Sequence, residues 1–296
     1  MTRNPTDKCL LCGKMSATQR NSHIIPKFIS SDFLGDKSNK KGYIIDSEAG
    51  VKKTIQDSPK EDYILCPNCE TYFSVIETEV SQEIKSLHSD IEDSITEPLI
   101  LENAKIPSKI FHLFYFSQFW RVSVSNLDIF KWLNLPKEIE NHLRNELNKF
   151  SALNKVDFQE KLSKNELGKI IPYGVFTSLD FSERTKNLII TSDVSDPYCL
   201  IADKFGLALY SGINQIPEKN REFYNTDVEH KKVSILPSQL WEEIVNKPMK
   251  ILATKQTNFQ EIQRKLKLLA DQLSKLSNKE AGELREILAS NYRITQ

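Results

Sequence analysis

The sequence predicts an α+β fold, and three patterns predict it. Four of the five cysteines stand in two CxxC pairs, Cys9/Cys12 and Cys66/Cys69, with a strand-like stretch between them. Apolar residues recur at three- and four-residue spacing behind Pro67 and again behind Pro136, the period of an amphipathic helix. From about residue 169 to 236, short β-branched and aromatic runs are broken by polar turns, the pattern of strands.

In chain order, Cys9 to Gly13 reads as a knuckle, because Gly after the second cysteine lets the backbone turn with positive φ. The stretch around His23 is β-branched, and 43–45 and 52–55 are expected as short strands joined by polar loops. The pattern changes at Cys66. Pro67 suits a first helical turn, and Cys69, Phe73, Ile76, Val80, Ile84 and Leu87 line one face behind it. A knuckle, a strand pair and a helix opening on the second CxxC make a treble-clef arrangement, assigned to residues 1–95.

Glu97-Pro98 marks a soft boundary to a second region, 96–296. Phe111, Leu113, Phe114, Phe116, Phe119 and Trp120 are too dense for a surface helix, so this segment should be buried on most sides and form the main core. Another helix begins at Leu135-Pro136 and carries Ile139, Leu143, Leu147 and Phe150. Strands at 186–191, 198–201 and 207–210 suggest a small antiparallel sheet. Phe259, Ile262, Leu266, Leu269, Leu273 and Leu276, then Leu284, Ile287 and Leu288, predict two C-terminal amphipathic helices. These are short for an autonomous coiled coil and are expected to pack on the domain or make a homodimer or protein-partner contact. The whole reads as an N-terminal treble-clef module followed by a mainly helical domain with a small antiparallel sheet.

Composition narrows the chemistry. Forty Lys and Arg balance forty Asp and Glu, which gives no general argument for nucleic-acid binding. The distribution is uneven: residues 1–60 hold 11 basic against 6 acidic side chains, and residues 61–100 hold 1 against 10. No run of about 20 apolar residues could span a bilayer. The start, Met1 to Lys8, lacks the pattern of a secretory leader, so a soluble cytoplasmic protein with reduced thiols is expected. Two thiolate pairs closing one loop then fit tetrahedral Zn²⁺, with a redox dithiol as the alternative. Cys199 is expected to pack as a small apolar group.

Between the pairs lies Ser22-His23-Ile24-Ile25-Pro26. A lone His is by default a packed residue, but this one sits between two metal-binding pairs. Here the chain resembles the HNH nuclease superfamily, in which a CxxC, a His-Ile-x-Pro element and a second CxxC opening a helix form a ββα-metal site. The likeness covers about positions 9–80. With Phe116–Ser125 and the Ser-His-Ile-Ile-Pro motif, the chain also looks like a bacterial subgroup described only as HNH-like. The resemblance implies that Cys9, Cys12, Cys66 and Cys69 hold a structural zinc and that His23 is a general base toward water attacking a phosphodiester. It also implies a hydrolytic divalent ion and, by analogy, a setting in bacterial defence or mobile-element biology. An imidazole suits that role because it titrates near neutral pH.

The chain departs from the pattern at Ser22, where the family has an acid, at Glu70, where it has Asn, and at Phe73, where a His, Asn or Lys is common. Glu70, Ser74 and Glu77 share one helical face, and Glu70 with Glu77 could bind Mg²⁺ or Mn²⁺. Alternatively Glu70 offsets the positive helix start and Glu77 is solvated. Arg20, Lys27, Lys37, Lys40 and Lys41 could meet a DNA or RNA backbone, or form a solvated basic loop. Arg121, after Trp120, reads either as an anion clamp or as a buried partner of an acidic helix neighbour. His88, His112, His142 and His230 show no ligand spacing. The competing reading of the whole is a catalytically silent treble-clef protein that binds nucleic acid or a protein partner; a third has His23 itself on the zinc.

Overall fold

The computed structural model describes residues 3–29, 42–46, 51–86, 95–102, 105–131, 133–178, 188–191, 196–246 and 264. The chain opens on the knuckle. Gly13 takes φ +66°, its amide donates to Cys9 O, and Cys9 N donates to Met15 O. Strand β1 (Ser22–His23) then meets β2 (Gly42–Asp46), β3 (Val51–Ile55) and β4 (Lys60–Glu61) in sequence, but pairs only with β4, as a separate two-stranded ribbon.

Helix α1 (Pro67–Ser86) starts immediately after Cys66. Pro67 costs nothing there, since the first amides of a helix have no internal partner. Cys69, Phe73, Ile76 and Val80 are buried, as their spacing predicts, and Leu87 lies outside the described residues. After β5 (Leu99–Glu102), helix α2 (Ser108–Val124) is buried at every position from Ile110 to Val122, so it is the central core element. Helix α3 (Lys137–Lys149) begins behind Pro136, and α4 (Lys155–Lys164) is capped by Asn154, whose side chain accepts from Asp157 N. One apolar cluster runs from Leu11 and Cys66 through α2 to Tyr173 and Leu209.

The sheet corrects the expectation. It has eight strands in the order β3-β2-β7-β8-β9-β6-β10-β5, with β6 (Tyr173–Ser178), β7 (Leu188–Thr191), β8 (Tyr198–Ala202), β9 (Phe205–Leu209) and β10 (Lys232–Leu236). It is mixed rather than antiparallel, because β2 runs parallel to β7 and β10 parallel to β6. The physical reason lies in strands too apolar for a solvated hairpin. Ile44 and Ile45 point to opposite faces of β2, yet both are buried, in different apolar clusters. A strand covered on both faces belongs in a sheet interior or against packed layers. Thus β2 and β3, expected within the first module, form one end of the large sheet.

A further helix over 238–246 buries Trp241 and Val245. No helix among the described residues is long and apolar enough to cross a membrane. The C-terminal helices expected from Phe259 to Leu288 lie outside the described residues, except Arg264, which is helical.

Candidate functional site

The knuckle and the start of α1 bring four sulfurs together. The Sγ atoms of Cys9, Cys12, Cys66 and Cys69 all lie within 4.8 Å of one another, and Cys12 Sγ is 3.9 Å from Cys66 Sγ. A tetrahedron with Zn–S bonds of about 2.3 Å has S···S edges of roughly 3.8 Å, so the donor set and spacing fit a structural metal such as zinc. The surroundings favour thiolate at Cys9 and disfavour it at Cys66, where burial raises the pKa. Cys69 donates a hydrogen bond to Cys9 and the amides of Cys12, Cys66 and Leu11 point at it, which lowers the Cys9 pKa to about 5 against the effect of burial. Cys69 moves the other way, because Cys9 holds its proton and burial disfavours its charge. Arg144 Nε and Asn148 Nδ2 both donate to Leu11 O, at 2.8 and 2.7 Å, so α3 braces the knuckle from behind. His23 is not part of this ligand group.

A second polar centre sits beside the first. Ribbon pairing sets Ser22 against Glu61 and His23 against Lys60, and successive side chains on a strand point to opposite faces. Ser22 is fully buried and lies close enough to Glu70 to lower its pKa, although its Oγ closes no hydrogen bond of ordinary geometry. Burial dominates at Glu70 and raises its pKa; the nearby Arg121 charge opposes this and Glu77 adds to it. His23 answers to different neighbours. Burial lowers its pKa, Lys60, Arg121 and Lys27 lower it further, and Asp57 pulls the other way. Its Nδ1 is buried without a hydrogen-bond partner among the described residues. Burial and the neighbouring cations therefore favour the neutral imidazole.

Arg121 joins the parts. Its side chain is 3% exposed, Nη1 donates to His23 O at 2.9 Å, and Nη2 lies 2.7 Å from Glu77 Oε1. The guanidinium carbon stands 5.0 Å from the centroid of the Phe73 ring. Glu77 is thus paired, with its side chain 20% exposed, and of the two readings of Arg121 the acidic helix neighbour is the one present. Nearby, Ser125 Oγ and Asn126 Nδ2 donate to Glu61 at 2.7 and 2.9 Å, tying the end of α2 to the ribbon.

Two hollows flank the centre. A cleft of ≈ 550 Å³ includes Lys53, Asp57, Lys60, Asn126 and Asp128 in its lining. A groove of ≈ 350 Å³ includes Lys27, Ser74 and Glu77. Of the basic residues, Arg20 stands 3.8 Å from Asp62 on the surface, and Lys37, Lys40 and Lys41 lie outside the described residues, as does His88. His112 is buried between Tyr173 and Val228 O, His142 bonds Lys169 O, and His230 bonds Asp227. Asp57 and Lys60, the groups beside His23, carry no sequence signal of that role, because a two-residue ribbon leaves no periodic trace. No protein-family model, curated protein or solved structure matches this chain.

Proposed function

We propose that the chain is an HNH-like treble-clef protein, its four cysteines holding a structural zinc, that acts on nucleic-acid phosphodiesters with His23 as general base. The observation that carries this reading is the imidazole of His23: half-buried, with its pKa lowered by burial and by the charges of Lys60, Arg121 and Lys27, and with Nδ1 unpartnered among the described residues. Unsatisfied buried polar groups are rare in folded proteins and call for a role or a bound species. His23 would accept the proton of an attacking water, and Lys27 and Lys60, whose charges already act on it, would turn to phosphate oxygens, Lys60 from its present pair with Asp57 at 2.6 Å.

A hydrolytic Mg²⁺ or Mn²⁺ held jointly by Glu70 and Glu77 does not fit the residues present. Glu77 is already paired with a buried guanidinium, and burial favours the neutral form of Glu70. No step is therefore assigned to such an ion. The test is cleavage of DNA and RNA by the purified chain with Mg²⁺, with Mn²⁺ and with chelator at low concentration. Cutting that is lost in His23→Ala supports the reading, and equal cutting by that variant overturns it.

The second reading, a silent module that binds nucleic acid without cutting it, is favoured by the same Glu77–Arg121 pair together with Ser22 and Phe73 at positions where the family carries ligands. Salt-dependent binding of a DNA or RNA duplex without cleavage, weakened by Lys27→Ala or Lys60→Ala, would support it.

A further inference from the structure

We infer that Arg121 and Glu77 form a positioning pair for His23, so that Glu77 acts through a guanidinium and not through a metal. The inference rests on the reading of His23 as the reacting group. Strand β1 is only two residues long and its ribbon partner β4 is equally short, extended beyond His23 by Ile24 N donating to Pro59 O at 3.0 Å, so side-chain contacts add to a short ladder. What fixes its carbonyl is Arg121 Nη1 at 2.9 Å, reaching from α2 across 98 residues of sequence. The other terminal nitrogen, Nη2, is held by Glu77 on α1 at 2.7 Å, and the Ser117 carbonyl receives Nε at 3.4 Å. The Phe73 ring contacts the guanidinium 5.0 Å from its centroid. A planar fork gripped by these neighbours has little freedom to rotate, and a fixed fork fixes the strand end that carries the imidazole.

The arrangement also explains one departure from the family pattern. Phe73, where a polar ligand is common, supplies the ring under Arg121. Glu77, one turn further along α1, neutralises it. A divalent ion at Glu77 would have to share the carboxylate with a buried guanidinium and sit beside its charge. Lysine could not replace Arg121, since a single ammonium cannot face both acceptors in one plane.

The test compares the zinc-loaded full chain with Glu77→Gln and Arg121→Lys, using zinc content and thermal unfolding as controls for folding. Glu77→Gln keeps the shape, so it remains informative where Arg121→Lys fails to fold. For cleavage, both variants should lower kcat by roughly 10- to 100-fold with KM nearly unchanged, the signature of a displaced reacting group. The concentration of Mg²⁺ or Mn²⁺ giving half-maximal rate should stay put. The His23 imidazole resonances should move in both variants, a readout that does not need cleavage. A tenfold rise in that metal concentration for Glu77→Gln, with kcat restored at saturation, would make Glu77 a ligand and overturn the inference. So would His23 resonances and rates unchanged in Arg121→Lys. A parent chain that cuts nothing counts against His23 as base, and the resonances alone then decide the positioning pair.

Discussion

Helix α1 carries two buried polar centres, and they are built in opposite ways. At its start Cys66 and Cys69 complete the sulfur cluster; eight residues on, roughly 12 Å along the axis, Glu77 meets Arg121. The cluster is assembled from two tight turns that each deliver a ready-made pair, so only one loop has to close. The ion pair is assembled from α1, α2 and β1, none of which carries a local signal of the other two. One centre offers four thiols suited to a metal ion, the other holds two charges already in contact, the guanidinium 3% and the carboxylate 20% exposed.

The largest effect should come from the sulfur side. Chelation at pH 7, or Cys9→Ser, should remove more than about 5 kcal/mol of stability and open the core around Leu11, Tyr72 and Phe73. Thermal unfolding with and without chelator measures it, and a transition that does not move would mean that the thiols hold the knuckle without metal. Next comes the ion pair. Glu77→Met strands a guanidinium that is 3% exposed and should cost about 3–5 kcal/mol, while the double replacement Glu77→Met with Arg121→Met should recover much of it. Urea titrations closing that cycle would break the comparison if the double variant were as unstable as the sum of the singles.

Buried His112 and half-buried His23 sharpen the contrast between satisfied and unsatisfied polar groups. His112 accepts from Tyr173 Oη at Nδ1 and donates to Val228 O from Nε2, and burial pushes its pKa down to about 4. The folded state therefore binds this proton more weakly than the unfolded chain does. The stability it contributes is complete above about pH 6.5 and is lost as pH falls toward 4, up to about 3 kcal/mol. His112→Gln should flatten the stability profile over that window. The smallest expected effect is at the knuckle. Gly13→Ala puts a Cβ 2.8 Å from Arg144 Nη2 at a backbone φ of +66°, and should cost about 1–2 kcal/mol in thermal unfolding.

What was legible in the sequence follows the same division. The four cysteines, the start of α1 at Pro67 and the all-round burial of α2 could be read because each is written in adjacent residues or in one helical period. Strands β2, β7, β8 and β9 showed as β-branched or apolar runs. Their order did not, because nothing in Tyr43-Ile44-Ile45 says that its neighbour is Leu188-Ile189-Ile190. The site divides likewise. Arg121 was singled out with both of its readings open, but its particular partners, His23 O and Glu77, come from tertiary packing. Glu70, Ser74 and Glu77 do share a helical face, yet what meets that face is a guanidinium from another helix.

The sulfur cluster has one more consequence, for how the chain finds its topology. Cys12 and Cys66 are 54 residues apart, and β2 and β3 lie on the loop between them. Strand β2 must find β7, 145 positions away at Tyr43 and Leu188, and pair with it in parallel, the kind of contact that slows a search most. Pinning both ends of the loop at one point would shrink the volume its strands explore, and ligation of an ion there would meet the closure entropy once. An ion at the knuckle would then act as a kinetic device as well, shortening the search of β2 and β3 for a sheet most of whose other members are encoded more than a hundred residues later.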